Sequence, residues 1–104
     1  MKNEFAEFVV EQLREVPVLR ARRMFGSMGL YSGEKFFGII SDGLVYFKTS
    51  DKNRADYTAG GMVPFRASDT QTLVNYYEVP PDVIENPDEL ARWAAKSIAT
   101  RVDS

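Results

Sequence analysis

The sequence KFFGIISDGLVYFK, residues 35–48, decides the fold of this 104-residue chain. Two runs rich in aromatic and β-branched residues flank the dipeptide Asp42-Gly43, and this composition is typical of β-strands. Asp-Gly favours a two-residue turn in which both residues adopt a positive φ. The segment therefore predicts a β-hairpin with strands at 35–40 and 44–48.

Two helices and further strands are predicted around this hairpin. Apolar residues at helical spacing predict a first helix over residues 3–15, which ends before Pro17. A short middle helix is predicted to follow a cap at Ser50 or Asp51. The further strands are predicted at 19–24, 29–31 and 72–79, with a short extended piece at 62–65.

The C-terminal helix has the clearest start signal in the chain. Asn86 is suited to the N-cap, Pro87 to the first helical position and Glu89 to the third. The element order predicts an α+β domain of two layers. An antiparallel sheet of about five strands carries an N-terminal helix, a short middle helix and a C-terminal helix, and residues 1–104 form one domain.

Composition restricts the chemistry that the chain can perform. It contains no cysteine and no histidine, which excludes disulfides, thiolate nucleophiles and histidine acid–base catalysis. The carboxylates near the last helix do not match the spacing of an EF-hand loop. We therefore predict no catalytic residue, no cofactor and no metal, and we keep a carboxylate-based enzyme only as a remote alternative.

The charge balance and the hydropathy give no sign of a membrane. Thirteen basic and fifteen acidic residues give a formal charge of −2. The N-terminal residues lack the continuous apolar stretch of a signal peptide, and no later stretch approaches the length of a membrane span. We expect a cytoplasmic protein without membrane contacts.

Several short motifs occur in an order and at separations that resemble one family. They are RRMFG at 22–26, GLY at 29–31, FFGI at 36–39, YYEVP at 76–80 and NPDEL at 86–90. Together they resemble the N-terminal domain of the TfoX (Sxy) competence-regulator family over nearly the whole chain. The resemblance implies a two-layer α+β fold and a non-enzymatic role in transcription regulation. It also implies a protein partner, with the transcription apparatus as the favoured source, and a homodimer. Full-length relatives carry a second, C-terminal helical domain, which we expect to be absent here.

Three arginines on one predicted strand form the densest basic cluster. Because side chains alternate along a strand, Arg20 and Arg22 share one face and Arg23 points to the other. We predict that Arg23 pairs with Glu78, since both lie in family-like motifs. An alternative function, direct nucleic-acid binding, would use the basic residues Arg20, Arg22, Lys48, Lys52 and Arg54.

Aromatic residues are predicted on both faces of the sheet. Adjacent rings must point to opposite faces of a strand, and this applies to Phe36-Phe37, Tyr46-Phe47 and Tyr76-Tyr77. One set of rings belongs in the core. The other makes the second face apolar, which indicates a homodimer interface or a surface that faces a ligand.

Overall fold

One antiparallel sheet organises residues 4–24 and 26–100, which are the residues that this computed structural model describes. The elements, in chain order, are α1 (Glu4–Gln12), β1 (Leu19–Met24), β2 (Ser27–Ser32), β3 (Lys35–Ser41), β4 (Leu44–Lys48), α2 (Arg54–Ala59), β5 (Pro64–Ser68), β6 (Gln71–Glu78), α3 (Pro81–Ile84) and α4 (Pro87–Ile98). The predicted α+β class is confirmed, with an N-terminal, a short middle and a C-terminal helix.

The sheet has six strands in the order β1-β2-β3-β4-β6-β5. The prediction of about five strands was one short, because the extended piece predicted at 62–65 is part of a full edge strand, Pro64–Ser68. This strand forms a hairpin with β6, closed by the turn between Ser68 and Gln71. The first helix is shorter than its predicted range of 3–15, since it ends at Gln12, and residue 3 lies outside the described residues.

The central hairpin has the turn that its sequence predicts. Asp42 has a φ of 52° and Gly43 has a φ of 76°, as a type I′ turn requires. In the two strands that this turn joins, Gly38 of β3 lies opposite Phe47 of β4, and Ile40 lies opposite Val45. The prediction of a hairpin over 35–48 is confirmed.

The helices pack on one face of this sheet. Each described helix contributes buried side chains to a single cluster, in which they meet Leu30, Phe37, Ile40, Val45 and Phe47 from the strands. The hydrophobic effect of burying this set stabilises the two layers against each other. Ile39 and Tyr46 are buried but do not belong to this cluster.

Three helix starts show how local signals succeed and fail. Asn86 caps α4 as predicted, since its Oδ1 accepts a hydrogen bond from the backbone N–H of Glu89 at 3.2 Å. The middle helix begins at Arg54 after Asn53, later than a cap at Ser50 or Asp51 would place it. The short helix α3 was not predicted, because Pro81, which occupies its first turn, reads in sequence as a strand stop. None of the helices in the described residues is long and apolar enough to cross a bilayer.

Candidate functional site

The sheet face opposite the helices, called the outer face here, carries two rows of residues that cross the strands. The first row joins β1, β2 and β3 through Arg20, Tyr31 and Phe36, which are register partners. The Tyr31 and Phe36 rings have centroids 5.1 Å apart, and the Phe36 and Tyr76 rings have centroids 5.7 Å apart. Lys48 is the register partner of Tyr76. In the order of the strands this row therefore reads Arg20, Tyr31, Phe36, Lys48 and Tyr76, with one cation at the β1 end and the other between two rings.

The second row runs through the centre of the outer face. Its successive register partners are Arg22, Gly29, Ile39, Tyr46 and Glu78, from β1, β2, β3, β4 and β6. A basic side chain therefore lies at one end of the row and an acidic side chain at the other. Within the described part of the chain, neither Arg22 nor Glu78 pairs with an opposite charge.

The centre of the outer face has a small apolar cluster of its own. Ile39 is 3% exposed and Tyr46 is 8% exposed, although both lie on the side away from the helical core. The Tyr46 ring packs against Phe65 of β5 with centroids 4.5 Å apart. Burial raises the pKa of Tyr46, and the carboxylates of Glu78 and Asp42 raise it further. Tyr46 therefore stays neutral well above physiological pH.

Arg23 and Glu78 are not brought together. Arg23 is the register partner of Met28, which packs against the helical core, so it lies on the inner side of β1. Glu78 lies on the outer face of β6, and β2, β3 and β4 separate the two strands. The pair predicted from the motifs does not form, because alternation along β1 directs Arg23 to the wrong face of the sheet.

A cavity of about 590 Å³ opens where β4 ends, at the start of the segment that leads into α2. Its basic lining residues are Lys48, Lys52, Arg54 and Lys96. Three of the five basic residues of the alternative nucleic-acid prediction therefore meet at one place. The other two, Arg20 and Arg22, lie on β1, with β2 and β3 between them and β4.

Arg54 is fixed by acceptors from three directions. Its Nε donates to Thr49 Oγ1 at 3.1 Å, its Nη1 to Asp51 Oδ1 at 3.1 Å and its Nη2 to Asn75 Oδ1 at 3.3 Å. Thr49 is itself anchored, since its backbone N–H donates to the Asn75 carbonyl oxygen at 2.6 Å. The guanidinium is thus held in one orientation at the edge of the cavity.

Buried Asn53 holds the loop beneath the cavity. Its Oδ1 accepts from the backbone N–H of Ser50 at 2.7 Å, and its Nδ2 lies 3.5 Å from the Lys48 carbonyl oxygen. Asn53 is 3% exposed; its contact with the Lys48 carbonyl oxygen is buried, and its contact with the Ser50 N–H is partly buried. This side chain ties the end of β4 to the start of α2.

Lys48 and Tyr76 present polar groups to the cavity without a protein partner. The Lys48 residue is 8% exposed, and burial lowers the pKa of its ammonium group. Burial also raises the pKa of Tyr76 to about 12, with a smaller contribution from the nearby Tyr31. Neither side chain makes a hydrogen bond or an ion pair within the described residues.

Sequence reasoning found part of this site and missed the rest. Lys48, Lys52 and Arg54 were candidates because they are basic and close in sequence. Lys96 of α4 and Asn75 of β6 were missed, since only the folded chain brings them to the same cavity. No local pattern distinguishes Lys96 from an ordinary basic residue near the C-terminal end of a helix.

A comparison with models of protein families shows to which family the chain belongs. The model described as the TfoX N-terminal domain matches residues 11–100. The chain belongs to this family. The match covers all of the sheet and both rows of the outer face, so the site described above lies within the TfoX N-terminal domain itself. A comparison with curated proteins finds no match.

The described residues of this TfoX N-terminal domain offer little for metal-dependent chemistry. They contain no group of three or more histidine, cysteine, aspartate or glutamate side chains that could hold a metal ion. The charged side chains that line the cavity are four basic residues and one acidic residue, Asp51, so positive charge is in excess. Such a set binds anions.

Proposed function

We propose that this TfoX N-terminal domain is a non-enzymatic regulatory domain of the cytoplasm that acts by binding protein, and that it works as a homodimer. The observation that carries the proposal is the set of aromatic rings around Ile39 and Tyr46 on the outer face. Those two residues are already buried within the chain, but the described helices leave the surrounding rings uncovered. The rings of Tyr31, Phe36 and Tyr76 are only partly buried there. A few residues supply most of the binding energy at protein interfaces, and aromatic residues are enriched among them.

The arrangement of charge on the outer face favours a second copy of the chain as its occupant. In the second row, Arg22 and Glu78 lie at equal register distances from Ile39. A two-fold axis along β3 at Ile39 would set Arg22 of each copy against Glu78 of the other. Two-fold interfaces are self-complementary in this way, and opposite charges at the ends fix the alignment of the apolar centre.

The outer face also has apolar area beyond the central rows. Phe65 of β5 packs on Tyr46 there and is itself only partly buried. Face-to-face packing of two sheets would cover it, at a usual sheet separation of about 10 Å. The helical sides of both copies would remain accessible to a further protein. The family relationship supports the transcription apparatus as the source of that partner.

Charge reversal and its rescue test the homodimer. We expect sedimentation equilibrium to show a dimer for the unmodified chain and monomers for Arg22→Glu and for Glu78→Arg. The double variant carries both reversals in each copy, so the two cross-pairs re-form and the dimer returns. Arg23→Glu is the matched control, because it changes the same strand on its inner side. A monomeric unmodified chain, or no rescue by the double variant, would overturn this assignment.

The regulatory role has its own test in cells of the source organism. Deletion of the coding sequence should change the level of a defined set of transcripts. The unmodified chain and the double variant should restore that set, whereas Arg22→Glu should not. Restoration by the monomeric variant would separate regulation from the homodimer, and unchanged transcripts after deletion would contradict the regulatory role.

Direct nucleic-acid binding is the second candidate, and the first row of the outer face favours it. The row has rings with Arg20 at one end and Lys48 between Phe36 and Tyr76. Such a row suits a single strand, whose bases stack on aromatic side chains while cations contact phosphates. Fluorescence anisotropy of labelled single-stranded and duplex DNA, at low and moderate salt, tests this candidate. Salt-dependent binding that is lost in Arg20→Glu/Arg22→Glu would support it. No binding at low salt would exclude it.

A further inference from the structure

The cavity at the end of β4 has an excess of positive charge. Four of its lining residues are basic and one, Asp51, is acidic. Asp51 pairs with Arg54 at 3.1 Å, and Lys96 pairs with Asp56 at 3.1 Å. Lys48 and Lys52 therefore have no counter-ion within the described residues. The cavity is suited to a ligand that brings negative charge.

Lys48 is the strongest reason to expect such a ligand. The residue is 8% exposed and lines the cavity, and its ammonium group has no hydrogen-bond or charge partner within the described residues. The ammonium nitrogen is not among the fully buried polar atoms that lack a partner, so it keeps some contact with solvent, but burial of the rest of the residue lowers its pKa and weakens its hydration. A bound anion would supply the missing partner and offset the weakened hydration.

The cavity also has donors in fixed positions. A guanidinium has five N–H groups, and Arg54 uses three of them to hold its own position. Two remain for a ligand. The Tyr76 hydroxyl adds another donor that has no partner in the described chain. Several donors around unpaired cations form the pattern that binds phosphate oxygens.

We propose that this cavity binds a phosphate-bearing small molecule, with the phosphate held by Lys48 and Arg54. The volume of about 590 Å³ lies within the range of small-molecule sites. The Tyr76 ring lines the same cavity and offers a surface for a planar base, so a nucleoside phosphate should bind more tightly than inorganic phosphate. Arg22 and Glu78 do not line the cavity, but Lys48 and Tyr76 also belong to the outer face. The same titration on the Arg22→Glu variant therefore distinguishes failure of this site from an effect of the homodimer.

The experiment is a titration of isotope-labelled protein, followed by backbone amide shifts at constant ionic strength. The probes are inorganic phosphate, ribose 5-phosphate, adenosine monophosphate and adenosine. Short single-stranded oligonucleotides with and without a 5′-phosphate distinguish a free nucleotide from a strand end. We expect adenosine monophosphate to bind with a Kd of about 1 mM or tighter, and to shift residues 48–54, 75, 76 and 96.

Two variants make the assignment specific. Lys48→Met keeps the apolar stem and removes a charge that has no partner in the described chain, so we expect it to fold and to weaken adenosine monophosphate binding by about tenfold or more. Lys35→Gln is the control, because Lys35 is an exposed lysine that does not line the cavity. Its affinity should equal that of the unmodified chain.

The results of this titration either support the phosphate site or overturn it. Saturable shifts at the cavity that need the phosphate and Lys48 support the site, and preference for the 5′-phosphorylated oligonucleotide identifies a strand end as the source. Three results would overturn the proposal. They are no shifts with any phosphate, equal binding of adenosine and its monophosphate, and unchanged affinity in Lys48→Met.

Discussion

Gly38 of β3 lies directly opposite Phe47 of β4, and the contact leaves no room for a side chain. A Cβ at position 38 would lie 2.9 Å from Phe47 Cδ1 and 2.9 Å from the Tyr46 carbonyl oxygen. Phe47 is fully buried, and the carbonyl oxygen is part of the strand. Neither the Phe47 ring nor the carbonyl oxygen can move aside without disturbing the centre of the sheet.

We therefore predict that Gly38→Ala lowers the free energy of unfolding by about 2 kcal/mol, as overpacking in a core does. Urea denaturation measures the change. Gly60→Ala is the matched control, because the nearest atom to its added Cβ would be 3.6 Å away. That variant should stay within about 0.5 kcal/mol of the unmodified chain. Equal stabilities for the two variants would contradict the role of Gly38.

The predictions that agree best with the structure are those that rest on the strongest local signals in the sequence. Asp42-Gly43 and the Asn86 capping residue each act within a few residues, so their outcome depends little on the rest of the fold. Alternation along β1 also separated Arg20 and Arg22 from Arg23 correctly. Alternation says nothing about which distant strand a side chain meets, and this is why the Arg23–Glu78 pair was wrongly predicted.

The crowding at Gly38 and the cavity at Lys48 depend on contacts that no short segment contains. A register shift in the pairing of β2 with β3, between Leu30 and Tyr31, sets which residues of β3 face the core. The cavity combines the end of β4 with residues of β6 and α4. Their sequence separations exceed 20 residues, so periodicity and spacing cannot bring them together in advance.

Removal of the Asn86 cap should weaken the C-terminal helix. Asn86 Oδ1 satisfies the backbone N–H of Glu89, which has no acceptor inside the helix. We predict that Asn86→Ala lowers the free energy of unfolding by about 1 kcal/mol. Asn86→Asp keeps the acceptor and should retain most of the stability. Urea midpoints of the two variants check this, and an Asn86→Ala midpoint at the unmodified value would contradict it.

Val18 should be a site of stabilising substitution. It has a φ of 49°, which is unfavourable for a β-branched residue, and its side chain is 71% exposed. Its carbonyl oxygen accepts from the backbone N–H of Gly33 at 2.9 Å, and this contact holds the backbone in place. Asparagine tolerates the left-handed region, so Val18→Asn should raise the free energy of unfolding by about 1 kcal/mol. A lower melting temperature for this variant would show that Val18 is not strained.

Asn53 should matter for both stability and the cavity. Its side chain joins the Ser50 N–H to the region of the Lys48 carbonyl oxygen inside the protein. Asn53→Ala leaves these buried groups without that partner, and we predict a loss of about 2 kcal/mol. Lys52→Gln, at an exposed position of the same loop, should leave stability nearly unchanged. Equal urea midpoints for the two variants would contradict this role for Asn53.

Stability should fall at alkaline pH because of three tyrosines. Burial raises the pKa values of Tyr46, Tyr57 and Tyr76, the last to about 12. In the unfolded chain tyrosine ionises near pH 10, so above that pH the folded state binds more protons than the unfolded state. The stability that the three protonated tyrosines contribute is therefore fully present below a pH of about 10. It is lost as the pH rises through their pKa values in the folded protein. Lys48 acts in the opposite direction, since its pKa is lowered, but it is one group against three.

Urea midpoints at about pH 8 and about pH 11 measure this loss, and the near-ultraviolet absorbance of tyrosinate reports which state ionises. Tyr57→Phe removes the hydroxyl of the most deeply buried of the three tyrosines. Near neutral pH its midpoint should be no lower than that of the unmodified chain, because the buried Tyr57 hydroxyl has no hydrogen-bond partner to lose. Between the two pH values this variant should lose less stability. An equal pH dependence would mean that Tyr57 ionises in the folded protein as readily as in the unfolded one.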